Sequence, residues 1–132
     1  MNTITVTVTQ IQNKDDLNIV TFASQNHSLS MMSLQLDPQI KEGRVLYVTT
    51  KATNIAIAKN FSGDISYSNQ LKTKIDNIEL GELLCSLELI FEDTLLESII
   101  TADSAKRMDL KKGDEVTALI KSSDLSIMEK SV

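Results

Sequence analysis

The sequence predicts an all-β chain of tandem OB-like Greek-key β-barrels, with a short helix in the second copy. Three observations carry this. Short segments alternate apolar with polar residues and favour Thr and Val, as a half-buried pleated surface requires. Clusters of Asn, Asp and Gly separate those segments. The same pattern also comes round twice, and an internal repeat organises a chain before any single element does.

The repeat is clearest late in each copy. Gly43 falls on Gly113 and Lys51 on Lys121, both at an offset of 70. Earlier the offset is 67, where Ile4, Val8 and Ile11 match Leu71, Ile75 and Ile78. Leu17, Val20 and Phe22 match Leu84, Leu87 and Leu89 in the same way. The change of offset lies between Met32 and Gly43, so the first copy lacks about one helical turn that the second has. Residues 1–61 are read as a degenerate first module and 62–132 as the second, joined through Asn60-Phe61-Ser62-Gly63-Asp64.

In the first copy the expected strands are 3–10, 18–24, 28–33, 44–50 and 54–59. In the second they are 69–78, 83–91, 94–101, 115–121 and 126–129. Five short strands in so few residues suit a small Greek-key barrel. Residues 101–110 read as a helix: Thr101 is a hydroxyl N-cap, Asp103 is acidic in the first turn, and Lys111-Lys112-Gly113 ends it. The matching stretch of the first copy, 35–43, holds Pro38 and reads as a shortened turn.

Composition narrows the function. The chain has 132 residues, 42% of them apolar and 23% charged, the range of a globular protein. No apolar run is long enough to span a membrane, and no secretory signal is visible at the N-terminus, so a cytoplasmic protein without membrane partners is expected. The net charge of −5, the absence of Trp and an aromatic content of 4% argue against nucleic acid. One cysteine excludes an internal disulfide and a Cys-based zinc site. No nucleophile–base pair and no phosphate-cradling loop stand out, so no enzyme is expected.

Donor-rich positions remain. A tetrahedral dianion offers four acceptor oxygens and no donor, so its site must gather N–H and O–H groups at one point. Thr101 and Ser104 lie three apart at the expected helix start, where backbone N–H groups are exposed. Lys121-Ser122-Ser123 places a cation before two hydroxyls at a strand end, and Ser66 and Ser68 precede the first strand of the second copy. Each element has an ordinary reading as a cap, a solvated turn or a loop. Their combination is sharper.

Ser66-Tyr67-Ser68-Asn69-Gln70-Leu71, Ile100-Thr101-Ala102-Asp103-Ser104 and the run from Leu110-Lys111-Lys112-Gly113-Asp114-Glu115-Val116 to Lys121-Ser122-Ser123 resemble the Mop domain, also called TOBE. The resemblance covers 66–130 well and 1–60 only through the repeat. It implies an OB-like fold that binds molybdate or tungstate between subunits, hence a homo-oligomer. It implies that Thr101, Ser104, Lys121 and Ser122 contact the anion from one module, while Ser66 and Ser68 reach it from a neighbour. The family pattern is Ser-x-Arg-Asn where this chain has Ser68 in the Arg position, which removes a cation. The first copy keeps Lys51 and Thr53, but Ala52 replaces Ser122, nothing matches Thr101 and Ser104, and Met1 falls where Ser68 would be; a structural role or a partial site is expected there.

The expected function is therefore molybdate or tungstate binding in molybdenum storage or homeostasis. The alternative is a regulatory or interaction module, a sensor half or a transporter accessory, with weak anion binding or none. Among other residues, Cys85 reads as a small core residue, His27 as a surface loop, and Met31-Met32 as packing with one side chain inward. Glu88, Glu92, Asp93 and Glu97 read as an exposed, charged sheet edge.

Overall fold

The computed structural model describes residues 2–128. The first five strands are β1 (Asn2–Lys14), β2 (Leu17–Ser24), β3 (His27–Ser33), β4 (Val45–Thr50) and β5 (Ala56–Ala58). The second five are β6 (Asn69–Leu80), β7 (Leu84–Phe91), β8 (Thr94–Thr101), β9 (Glu115–Ile120) and β10 (Ser126–Ile127). The helix α1 (Ala102–Arg107) lies between β8 and β9, and 3-10 turns at Ala52–Asn54 and Ser122–Asp124 precede β5 and β10. The expected tenth strand ran on to Glu129, which lies outside the described residues, as does Met1.

Alternation explains most of these elements. Ile4, Val6 and Val8 are buried on one face of β1, while Thr5 and Thr9 face out. Both β1 and β6 run longer than expected. Their outer ends, Asn13-Lys14 and Glu79-Leu80, are polar or exposed and carry no burial signal, so hydrogen bonding to β2 and β7 extends them. A bulge at Thr9 divides β1: its first part pairs with β4 and its second with β2. β6 is divided in the same way around Asp76. Asp15 and Asp16 close the β1–β2 hairpin with φ of 52° and 69°, which suits a two-residue turn that follows strand twist.

The two sheets reproduce each other's register. Asn2 pairs with Thr50 as Asn69 pairs with Ile120, the offsets already present in the sequence. Yet the chain exchanges its short strands. The sheet orders are β10-β4-β1-β2-β3 and β5-β9-β6-β7-β8. β5, from the first repeat, completes the second sheet, and β10, from the second repeat, completes the first. Sequence repeat and hydrogen-bonded sheet are thus different units, and a single hydrophobic cluster runs through both.

Side chains reinforce the seam. Asn69, with no exposed surface, accepts from Ser30 N–H at 2.7 Å through Oδ1, and its Nδ2 donates to Ser30 O and Ile120 O at 3.0 Å. Asn2 does the same on the other side, accepting from Glu97 N–H at 2.7 Å and donating to Glu97 O at 2.8 Å. Between these clasps the β2–β3 turn meets the β7–β8 turn. Glu92 accepts from Ser24 Oγ at 2.7 Å and from Asn26 N–H at 3.1 Å, and pairs with His27 Nδ1 at 2.9 Å. His27 Nε2 accepts from Lys72 N–H, which leaves the ring proton on Nδ1, and the ring meets Phe91 edge-on.

His27 and Glu92 therefore join the repeats; the surface-loop and exposed-edge expectations for them do not hold. They lie 65 residues apart in sequence, so local composition gives no sign of the pair. Glu88 and Glu97 are exposed as expected. Cys85 is fully buried, which pushes its thiol pKa up, and Met31 is buried while Met32 faces out.

Candidate functional site

Thr101 ends β8 and caps α1. Its extended backbone (φ −71°, ψ 148°) turns the side chain back so that Oγ1 accepts from Ser104 N–H at 3.1 Å. The same hydroxyl donates to Ser104 Oγ at 3.0 Å. Arg107 reaches back one turn, and its guanidinium donates to Ser104 Oγ at 3.1 Å. Buried Ala102 and Ala105 hold the helix against the barrel. At its other end Lys59 Nζ donates to the carbonyls of Met108 (3.2 Å) and Asp109 (2.9 Å) and pairs with Asp114 at 3.1 Å. The Asp114 carboxyl is held below its ordinary pKa, first by the hydrogen bond from Lys111 N–H and then by Lys59.

The other candidates form a second cluster. Asn69 pairs with Ile120, so the residues just before β6 and just after β9 leave the sheet together. Ser68 and Lys121 thus stand at one corner of the sheet, with Ser66 and Ser122 close by along the chain, and Lys121 Nζ stands 6.0 Å from the centroid of the Tyr67 ring. Ser66, Ser68 and Lys121 are exposed and Ser122 half-buried. Among the described residues no carboxylate pairs with Lys121.

This arrangement changes the grouping that the resemblance implied. Lys121 and Ser122 sit with Ser66 and Ser68, not with Thr101 and Ser104. Thr101 pairs with Leu84, whose neighbour Cys85 pairs with Leu80 at the far end of β6. Along the sheet the two clusters of one chain therefore lie at opposite ends of β6. The topology decides this: two reversals separate the β6 start from Thr101, so β8 runs in the direction of β6 and ends at its far end, and spacing along the sequence carries no record of it.

Asn69 has a clear role that its place in a serine-rich loop conceals. It clasps the first repeat and fixes the corner on which Ser68 and Lys121 stand. Arg107 is the other residue missed by reading the sequence, since nothing in the spacing marks it except its position one turn after Ser104.

The first repeat lacks the first cluster. β3 and β8 begin and run in step, so Leu34 stands where Thr101 stands and Asp37 where Ser104 stands. Residues 34–44 contain turns and no helix, and the Asp37 side chain accepts from Gln39 N–H at 2.8 Å. A cleft of about 1040 Å³ opens where the second repeat has α1, lined in part by Leu36, Ile40, Arg44 and Leu125. Lys51 and Thr53 are exposed at the equivalent 3-10 turn.

A TOBE domain model matches residues 65–127. Molybdenum-pterin-binding protein 1 of Clostridium pasteurianum is 38% identical over 65 residues, 48% of this chain and 96% of that protein. This chain belongs to the TOBE family. Molybdenum-pterin-binding protein 3 of the same organism is 39% identical over 67 residues, again 48% of this chain and 96% of the relative. For this TOBE protein as a whole, the cytoplasmic molybdate-binding protein ModG, solved with molybdate bound, superposes with a TM-score of 0.90. That match has 22% identity and covers 96% of this chain and 94% of ModG, so it establishes the tandem OB-like fold across both repeats.

Proposed function

We propose that this TOBE protein binds molybdate or tungstate and serves molybdenum storage or homeostasis in the cytoplasm. Membership of a family whose relatives are described as molybdenum-pterin-binding carries the reading. The donor sets support it. Thr101, Ser104, Lys121, Ser122, Ser66 and Ser68 present hydroxyl and ammonium donors, and no carboxylate hydrogen-bonds to any of them among the described residues. Such a set suits an anion that accepts and never donates. No helix among the described residues is long and apolar enough to cross a membrane, and the relatives are binding proteins by description, consistent with a carrier of the oxyanion.

The complete site forms when the Thr101–Ser104 cluster of one chain meets the Ser66–Ser68–Lys121–Ser122 cluster of another copy. A contact of this kind can be reciprocal, in a two-fold dimer that closes two such sites at once, or head-to-tail, in a ring. Leu83 and Leu84, 80% and 57% exposed, form an apolar lip directly beside Thr101. The first repeat has Asp16 and Leu17 at these positions. An exposed leucine pair rimmed by polar groups favours contact with a second copy, and closure there excludes water from the anion. The repeats 1–61 and 62–132 act in this reading as one folded unit with a single complete kind of site.

Calorimetric titration with molybdate, tungstate and sulfate tests the proposal. Saturable binding of the first two is expected, and no competition at millimolar anion would sink it. Leu83→Glu is expected to lower both the assembly size in size-exclusion chromatography and the affinity. Unchanged assembly with full binding would remove the shared-site arrangement.

A further inference from the structure

We propose that Arg107 is an anion-contacting residue that sets the preference of the site for doubly charged tetrahedral oxyanions. The inference rests on the oxyanion-binding reading above and adds a residue that neither the motif nor the relatives assign. Three observations carry it.

The first is the direction of the hydrogen bonds. Ser104 N–H donates to Thr101 Oγ1, and the Thr101 hydroxyl donates onward to Ser104 Oγ. Arg107 donates to the same Ser104 oxygen. Both lone pairs of Ser104 are thereby occupied, and its one proton has no acceptor among the described residues. A hydroxyl that accepts two hydrogen bonds, one from a cation, is a stronger donor through its remaining proton, because each accepted bond polarises it further. Its complement is an acceptor from outside, and an oxyanion is pure acceptor.

The second is the state of the guanidinium. Arg107 is exposed and forms no ion pair within the described chain, although Lys59 and Lys111 nearby are paired with Asp114 and Asp109. One Nη is directed at Ser104, and the fork geometry of the guanidinium leaves further N–H groups beside it. A single oxyanion at the Ser104 hydroxyl can take a bond from Ser104 and another from Arg107 at once.

The third is the charge supplied by the rest of the site. Lys121 is the only cation among the six proposed contact residues, and it stands on the opposite corner of the chain. When two chains meet, Lys121 from one side and Arg107 from the other place two positive charges around one dianion. Neutrality is then reached across the interface, and either cation alone leaves a net negative charge to be enclosed, which burial disfavours.

The test compares molybdate with perrhenate, which has similar tetrahedral shape but one negative charge, in wild type, Arg107→Gln and Arg107→Lys. Arg107 is exposed on the last turn of α1, so the variants are expected to keep the wild-type thermal midpoint; circular dichroism checks that. Arg107→Gln is expected to weaken molybdate binding about tenfold or more, the worth of a charge-assisted hydrogen bond. Perrhenate binding should fall less, so the ratio of the two affinities narrows. Arg107→Lys should retain the preference for the dianion with intermediate affinity. Molybdate affinity within about twofold of wild type in Arg107→Gln, or equal loss for both anions, overturns the proposal. Wild type that binds no oxyanion overturns the functional reading itself, a separate result.

Discussion

The two halves of this protein share a strand register and differ in one connection, and the difference separates what a barrel needs from what a site needs. In the second half, β8 leads through Thr101 into α1, whose Ala102 and Ala105 pack on the barrel. In the first, β3 leads through Leu34 into irregular turns and a cleft. Losing three residues costs the first half its helix without disturbing its sheet, because β4 is held by β1 and β10 and not by the connection. The hydroxyl cluster depends wholly on the connection. A fold can therefore repeat faithfully while a hydrogen-bonded donor cluster is kept in one copy.

The strongest way to break this comparison acts on the clasps the halves share. Asn69→Ala leaves Ser30 N–H, the part-buried Ser30 carbonyl and the buried Ile120 carbonyl without this partner, and each such loss costs about 1–3 kcal/mol. A total loss of about 3 kcal/mol is expected in urea denaturation. Asn2→Ala removes two bonds at a slightly more open position and should cost about 2 kcal/mol. Equal effects would mean that the two seams are equivalent in energy as well as in geometry.

Next come the two lysines that occupy matching 3-10 turns. Lys121→Ala is expected to weaken molybdate binding about tenfold, on the scale of a charge-assisted bond. Lys51→Ala should leave affinity unchanged, since its turn has Ala52 beside it and Asp37 where Ser104 would be. Titration of both variants decides whether the first half contributes any site. A smaller effect concerns the cap alone. Thr101→Val keeps the shape and removes the hydroxyl, so about 1 kcal/mol of stability should go with the N-cap. Leu34→Ala in the first half, an exposed position that caps nothing, should leave the denaturation midpoint in place.

The smallest expected effect is acid sensitivity in the second half. The folded pKa of Asp114 is depressed, so its contribution is present above the ordinary Asp pKa of about 3.9 and fades as pH falls through the lower folded value. Arg44, which holds the matching position in the first half, carries no carboxylate and donates to Gln39 O. Acidification below about pH 4 should lower the melting temperature slightly more in wild type than in Asp114→Asn. Identical pH profiles for the two would remove this contact from the account.

Much of this was legible in the chain itself. Alternation in residues 3–10 and 94–101 placed strands, Thr101 and Gly113 bracketed the helical connection, and the shift of offset before Gly43 located the missing turn. Those signals are local, because side-chain period and capping depend on neighbours within a few residues. The contributions of Asn69, His27 and Glu92 were hidden, since their partners lie in the other repeat.

By itself, then, the sequence determined the repeat, the strand alternation, the capped helix and the set of donor residues. Tertiary structure decided the exchange of β5 and β10, the clasps, and the separation of Thr101 and Ser104 from Lys121 and Ser122. The physical reason is pairing: a residue's place in a barrel is set by the strand opposite, and that strand is chosen by register and burial across the whole chain.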